Sequence, residues 1–186
     1  MSTTAAPARI STWNIDPAHS LIEFSAKHMM ITNVKGRFAD VRGVIAIDEA
    51  QPDRSTAEVT IDAKSLDTRA EQRDQHLRSA DFLDVEQFGT LSFRSRRIEG
   101  ASAKEGASFR VVGDLTIRDV TREVTLDATY EGRGKDPWGG ERVSFSADAK
   151  IDRRDYGLRW NAALETGGVL VGNDVKIHIE VQAVHA

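Results

Sequence analysis

Hydrophobic and polar residues alternate along most of this chain with a period of two, in runs of about ten residues broken by polar turns. That is the pattern of strands with one buried and one wet face. Ala57, Val59, Ile61 and Ala63 interleave with Glu58, Thr60 and Asp62. The same reading runs through Phe109, Val111, Gly113, Leu115 and Ile117, then Val124, Leu126, Ala128 and Tyr130, then Val143, Phe145, Ala147, Ala149 and Ile151. Near the C-terminus Val175, Ile177, Ile179, Val181 and Ala183 alternate with Lys176, His178, Glu180 and Gln182. Earlier in the chain Ile22, Phe24 and Ala26 form an apolar face, Val41 to Ile47 reads as a strand, and Leu91 with Phe93 begin another. Trp13 and Ile15 start or precede the first, so the pattern predicts eight long strands.

Asp48 to Ser55, Glu99 to Ser108 and Gly132 to Gly140 are polar turns carrying Pro or Gly, which makes sequential hairpins the simplest topology. Thr68-Arg69-Ala70-Glu71 has the form of a capping box and predicts a short helix up to Ser79. Its apolar stripe, Ala70, Leu77 and Ala80, is too thin for a core helix, so it is expected to cover a face or an end of the sheet. Asp152 to Gly172 reads as a long irregular connection. No repeat or linker divides the chain, and the expectation is one domain over residues 12–186 behind a flexible tail, 1–11.

Eight amphipathic strands in hairpin order hide both sheet edges by closing on themselves. The expected fold is therefore all-β, an eight-stranded antiparallel up-and-down barrel with a short covering helix; a two-sheet sandwich is the alternative. Eight strands are the number at which an interior is either filled by side chains or holds one small ligand. Many inward positions here are small: Ala26, Ala57, Ala63, Gly113, Ala128, Ala147, Ala149 and Ala183. Strands of about ten residues give a barrel roughly 25 Å tall. Its inward faces carry almost no hydrogen-bonding groups, which suits a long apolar ligand better than a compact polar one. Ile22, Phe24, Ala26, Val59, Ile61, Phe93, Phe109, Val111, Leu115, Phe145 and Ala147 are the expected tail contacts. The competing expectation is a packed core in which the alanines follow the taper of the barrel.

Composition narrows the chemistry. The 186 residues carry a formal net charge of -4, no footprint for a polyanion such as nucleic acid, and no cysteine for a disulfide, thiolate site or thiol nucleophile. The five histidines lack metal-ligand spacing, and nothing matches a nucleophile elbow, a phosphate-cradling loop or a dinucleotide fingerprint. No metal, no cofactor and no catalysis are expected. With neither a secretory signal nor an apolar run of about 18 residues, the chain reads as cytoplasmic, without an integral membrane segment. Arg73, His76, Trp138 and Arg153 are candidates for the polar head-group end of a bound amphiphile, the arginines because a planar guanidinium suits phosphate or carboxylate. Met29-Met30-Ile31 could serve a homodimer, which frames a second function, a structural or stress-response interaction protein with a closed core. A third is a lipid hydrolase or isomerase with His76 or His28 as base beside Asp74 or Tyr156.

Several fragments stand in order along the chain: Asp16-Pro17-Ala18-His19-Ser20, Phe24 with His28, Gly36 with Phe38, Arg73-Asp74-Gln75-His76-Leu77 before Phe82, Gly113-Asp114-Leu115-Thr116-Ile117, Val120-Thr121, Trp138-Gly139 and Arg154-Asp155-Tyr156-Gly157. In that order and spacing, from about Trp13 to Ala183, the sequence resembles the YceI-like family of polyisoprenoid-binding proteins. The resemblance implies a lipocalin-like barrel that carries a long isoprenoid, an isoprenoid quinone or prenyl phosphate, or a similar amphiphile in its pore, without catalysis or metal. Departures from the family pattern include the missing secretion signal, Gly89 at a common proline position, Asp119 at a common glycine position, and Tyr156 where phenylalanine is usual.

Overall fold

The structure, a computed structural model, describes residues 9–186. Its strands are β1 (Ile10–Ile15), β2 (Leu21–His28), β3 (Thr32–Phe38), β4 (Val41–Asp48), β5 (Thr56–Asp62), β6 (Leu66–Asp67), β7 (Thr90–Glu99), β8 (Ser108–Ile117), β9 (Val120–Lys135), β10 (Glu141–Asp152) and β11 (Val171–His185). One helix, α1 (Glu71–Arg78), stands between β6 and β7. The order β1-β4-β5-β7-β8-β9-β10-β11 closes because β11 also pairs with β1, and every pairing is antiparallel. This is the eight-stranded up-and-down barrel that the alternation predicts. No helix among the described residues is long and apolar enough to cross a membrane.

Eleven strands make eight walls because three walls are interrupted. Along one edge of β11, Val171–Glu180 face β2 and Ala183–His185 face β1, so β1 and β2 are one wall broken at the turn Pro17–His19. β3 and β4 form the next wall and β5 with β6 the third, broken at the turn Ala63–Ser65. The alternation missed β3, since Thr32-Asn33-Val34-Lys35-Gly36-Arg37-Phe38 has only two large apolar residues. Ile10 and Ser11, read from sequence as tail, are already strand residues opposite Asp48 and Ile47; the start of that tail lies outside the described residues.

The first break has a chemical cause. Pro17 cannot donate to a ladder, and Asp16 turns the chain by accepting from the Ala18 amide at 3.0 Å while its other oxygen accepts from Arg142 Nη1 at 2.7 Å. Arg142 also donates Nε to Asp136 at 3.1 Å, and Asp136 in turn accepts the Trp138 and Gly140 amides to shape the β9–β10 turn. Arg142 is the main reason the Asp16 carboxyl is held below its ordinary range; for Asp136 the Gly140 amide leads and Arg142 adds to it. Through Asp136, one guanidinium thus joins the Asp16–Pro17 kink to the turn that carries Trp138 and Gly139.

The third break opens a seam. β6 pairs only with β3, leaving a gap before β7 that residues 68–89 fill. Phe82, Leu83 and Val85 are buried there against Leu66, Tyr156 and Leu158, and α1 covers this end with Leu77 packed on the core. The capping box expected at Thr68 is not formed: the N-cap is Ala70, with no side-chain bond. Thr68 instead gives its amide (2.9 Å) and hydroxyl to the buried carboxylate of Asp74, tying the helix to the strand before it.

Two glycines shape the inner surface. A Cβ on Gly36 would lie 2.3 Å from the Phe24 ring, and one on Gly113 would lie 2.5 Å from the Phe93 ring. Each phenylalanine lies over a cross-strand glycine. Gly36→Ala is expected to cost about 1–3 kcal/mol through overpacking, read as a lower urea midpoint; an unchanged midpoint would show that Phe24 turns aside freely.

Candidate functional site

The inward faces enclose a lumen of about 560 Å³ that runs from the closed end, under Leu66, Leu77, Phe82, Leu83 and Leu158, to loops at the opposite end. Ligand pockets fall in the range of about 300–1,000 Å³. All eleven apolar residues expected at the tail, Ile22, Phe24, Ala26, Val59, Ile61, Phe93, Phe109, Val111, Leu115, Phe145 and Ala147, line it. Phe24, Val59, Phe93, Phe109 and Phe145 are only half-buried although they line the interior; their accessible surface faces the bore. Of the small residues, Ala26, Ala57, Ala128, Ala147 and Ala149 line the lumen, and Ala128 and Ala147 sit directly opposite each other on β9 and β10. Ala63, Gly113 and Ala183 do not. Ala183 is fully buried in a cluster with Trp13 and Val143, and Gly113 is covered by Phe93.

The expected head-group residues are dispersed. Arg153 reaches the lumen from the turn Arg153–Tyr156 at the closed end and is only 4% exposed. It donates to four backbone carbonyls: Gly172 (2.9 Å), Leu158 (2.7 Å), Trp160 (2.9 Å) and Val171 (3.4 Å). Among the described residues no carboxylate pairs with it, and burial pulls its pKa down while the carbonyl dipoles hold the charge. Arg153 thereby ties the 157–172 connection to the barrel floor.

Trp138 is 88% exposed on the β9–β10 turn, at the other end of β10 from Arg153, so the two cannot flank one mouth. Arg73 is spent on Thr68, with Nε to the hydroxyl at 2.8 Å and Nη2 to the carbonyl at 2.7 Å. His76 bonds Asp81 at 2.9 Å and sets its ring edge-on against Phe82 and Trp160. Arg73, His76 and Trp138 lie off the lumen, as do His28 and the carboxylate Asp74, which is engaged by Thr68. The carboxylate and hydroxyl offered as partners for a catalytic histidine are therefore placed elsewhere.

The open end is built from residues that sequence reasoning passed over. The β4–β5 loop contributes Pro52 and Ser55 and the β7–β8 loop Ala101 to Ala103, and the two are clipped by the Ala101 amide donating to Asp53 at 2.7 Å. From the facing wall Arg133 reaches Glu49 at 3.0 Å. Arg133 was hidden because the β9–β10 register skips Glu131: Tyr130 pairs with Phe145 and Gly132 with Ser144. Such a bulge reverses which parity faces inward. Gly132, at φ +132°, is the sequence signal that marks it.

Comparison with known proteins bears on this geometry. The family described as YceI-like domain matches residues 13–183. A UPF0312 protein of Serratia proteamaculans is 37% identical over 188 aligned residues, covering 100% of this chain and 93% of that one. The crystal structure of a Campylobacter jejuni YCEI protein superposes with a TM-score of 0.71 at 31% identity, covering 86% of this chain and 90% of the other. A polyisoprenoid binding domain from Saccharophagus degradans, implicated in plant cell wall breakdown, shares the fold at TM-score 0.67 and 14% identity, covering 96% and 100%.

Two measurements probe the closed end. Asp152 accepts from the Arg154 amide and guanidinium, chiefly the latter, which brings its carboxyl to about 2 from an ordinary 3.8. A carboxyl depressed on folding adds stability above its unfolded value and loses it as pH falls through its folded one. Asp152→Asn should melt lower than wild type at pH 7, by no more than about 1 kcal/mol for so exposed a pair, and the gap should close from about pH 4 down to about 2; a gap independent of pH would assign the effect to the turn alone. Tyr156 is 2% exposed with no partner for its hydroxyl among the described residues, and burial pushes the hydroxyl's pKa up to about 12. Tyr156→Phe is expected to leave stability unchanged or raise it by about 1 kcal/mol; a loss of that size in chemical unfolding would reveal a bond the hydroxyl makes.

Proposed function

The chain belongs to the YceI-like domain family, and on that premise we propose that its lumen binds and carries a long apolar lipid, a polyisoprenoid or a similar amphiphile, without catalysis. The observation that carries this reading is the bore itself: an apolar channel along the barrel, with alanines at five positions of its strand walls and the charged residues Arg153, Asp48, Glu49 and Arg133 confined to its ends. A compact polar metabolite would lose its water in such a wall without replacement. A prenyl or acyl chain loses little, and each buried CH₂ contributes about 0.8 kcal/mol gross against the cost of immobilising the chain. Affinity then rises with tail length until the lumen is full. An isoprenoid quinone and a prenyl phosphate both meet these terms. The polyisoprenoid binding reported for the Saccharophagus degradans domain agrees with the reading at the level of fold.

One observation supports a second reading, an interaction protein that associates through its β2–β3 turn. Met29, Met30 and Ile31 are 44%, 61% and 74% exposed there, and the side chain of Met30 packs over Gly168.

Native mass spectrometry of protein purified without detergent, followed by organic extraction, tests both. A stoichiometric long-chain lipid on the monomer is the expected result. Protein that carries none, refuses added prenyl lipids and runs as a dimer would replace the carrier reading with the second. Ala147→Trp, which puts an indole opposite Ala128 in mid-bore, should abolish uptake in a barrel that still folds. Undiminished uptake in a folded variant would move the ligand out of the lumen.

A further inference from the structure

Two recesses meet at the open end of the barrel. One is the apolar lumen; the other is a polar recess beside the mouth, walled by Arg9, Ser11, Glu49, Arg133, Glu141 and His185 next to the Trp13 ring. Among the described residues only Glu49 and Arg133 line both, so this ion pair is the partition between an apolar compartment and a wet one. The pair is also preorganised. Arg133 stacks its guanidinium 4.7 Å over the Trp13 ring, the Trp13 indole donates to Ser11 Oγ at 2.8 Å, and Ser11 Oγ donates to Glu49 at 2.6 Å. Glu49 is the one protein acceptor that Arg133 engages among the described residues, at 3.0 Å, which leaves most of its N–H donors without a protein acceptor there. Arg9 also acts on Glu49. Two guanidiniums, Arg9 and Arg133, and two carboxylates, Glu49 and Glu141, line the recess, and Glu141 is opposite Lys135 in the β9–β10 register.

Resting on the lipid-carrier reading of the lumen, we propose that this recess receives the anionic head, phosphate or carboxylate, of the amphiphile whose tail lies in the bore, with Arg133 as the specificity-determining contact and Glu49 as the group the head replaces on it. The planar guanidinium offers a carboxylate or phosphate two parallel hydrogen bonds. Its stacking on Trp13 holds that fork in place before the ligand arrives. The displaced Glu49 keeps Ser11 and the attraction of Arg9. A neutral alcohol or quinone head offers nothing to outcompete Glu49, so the site selects by charge while the lumen selects by length.

The test is calorimetric titration of the full chain at low salt with two tail-matched pairs, farnesyl monophosphate against farnesol and palmitate against hexadecanol. Wild type should prefer at least one anionic member by roughly tenfold or more, and the pair that discriminates identifies the head as phosphate or carboxylate. Arg133→Gln should bring that pair to parity with the affinity for the neutral member unchanged. Glu49→Gln should tighten the anionic ligand alone, and this opposite shift decides the matter if circular dichroism shows Arg133→Gln to be unfolded. Equal binding of charged and neutral members by wild type, or a preference that survives Arg133→Gln, would overturn the head-group assignment and leave the lumen reading intact. Failure of wild type to bind any of the four would overturn the lumen reading itself.

Discussion

Closure of the barrel depends on β11. This strand pairs with β10 from Val184–Arg142 to Asp174–Asp152, and its other edge is divided between β2 and β1. Without the short β1 contact the sheet would end in two open edges, each a row of unpaired backbone groups and a template for aggregation. The divided edge explains why the Asp16–Pro17 kink matters: it turns one wall through the break while Arg142 holds Asp16 in place from β10. At the same position Trp13, Val143 and Ala183, from β1, β10 and β11, form a solid plug with at most 1% exposure. The barrel is therefore sealed tightly along its closure line and hollow elsewhere.

Hollowness is a difference of a few methylene groups at particular places. Where Ala183 meets Trp13 a small residue makes room for a large one, and where Gly113 meets Phe93 a ring lies flat on backbone; neither creates space. Ala147 and Ala128, which meet across the sheet, and Ala26, Ala57 and Ala149 instead line the bore. Dry apolar space costs the fold contacts it would otherwise make. On the proposed reading a bound tail would supply those contacts and couple occupancy to barrel stability.

Polar chemistry is segregated to the two ends and does different work at each. At the closed end Arg153 gives four of its N–H donors to main-chain carbonyls, and Asp74, Arg73 and Thr68 are bonded to one another; these groups hold the floor. At the open end Arg133 engages one carboxylate, Glu49, on a recess that Glu141 also lines. The fragments that carry the family resemblance fall largely on the frame, at the β1–β2 kink, the β9–β10 turn and the closed end. They identify the barrel more surely than they identify what it holds.

Period-two alternation alone was enough to determine the all-β class, the hairpin order, most strand faces and eleven of the apolar residues that line the bore, because burial of one face is a local property repeated along each strand. The sequence also contained the charges and glycines of the open end, though not their meaning. Only the tertiary structure decided that β3 belongs to a wall, since its pairing is set by β2 and not by its own weak pattern. It alone placed Arg73 and His76 off the lumen and Trp138 at the opposite end from Arg153, because a turn or helix side chain points where its bonds take it. It alone turned Arg133 toward the mouth, through a one-residue slip in register that reverses the faces of β9 beyond Tyr130. Periodicity reports which side of its own strand a residue occupies; which residues share an end, and whether small ones meet small ones across the sheet, is settled by register and closure.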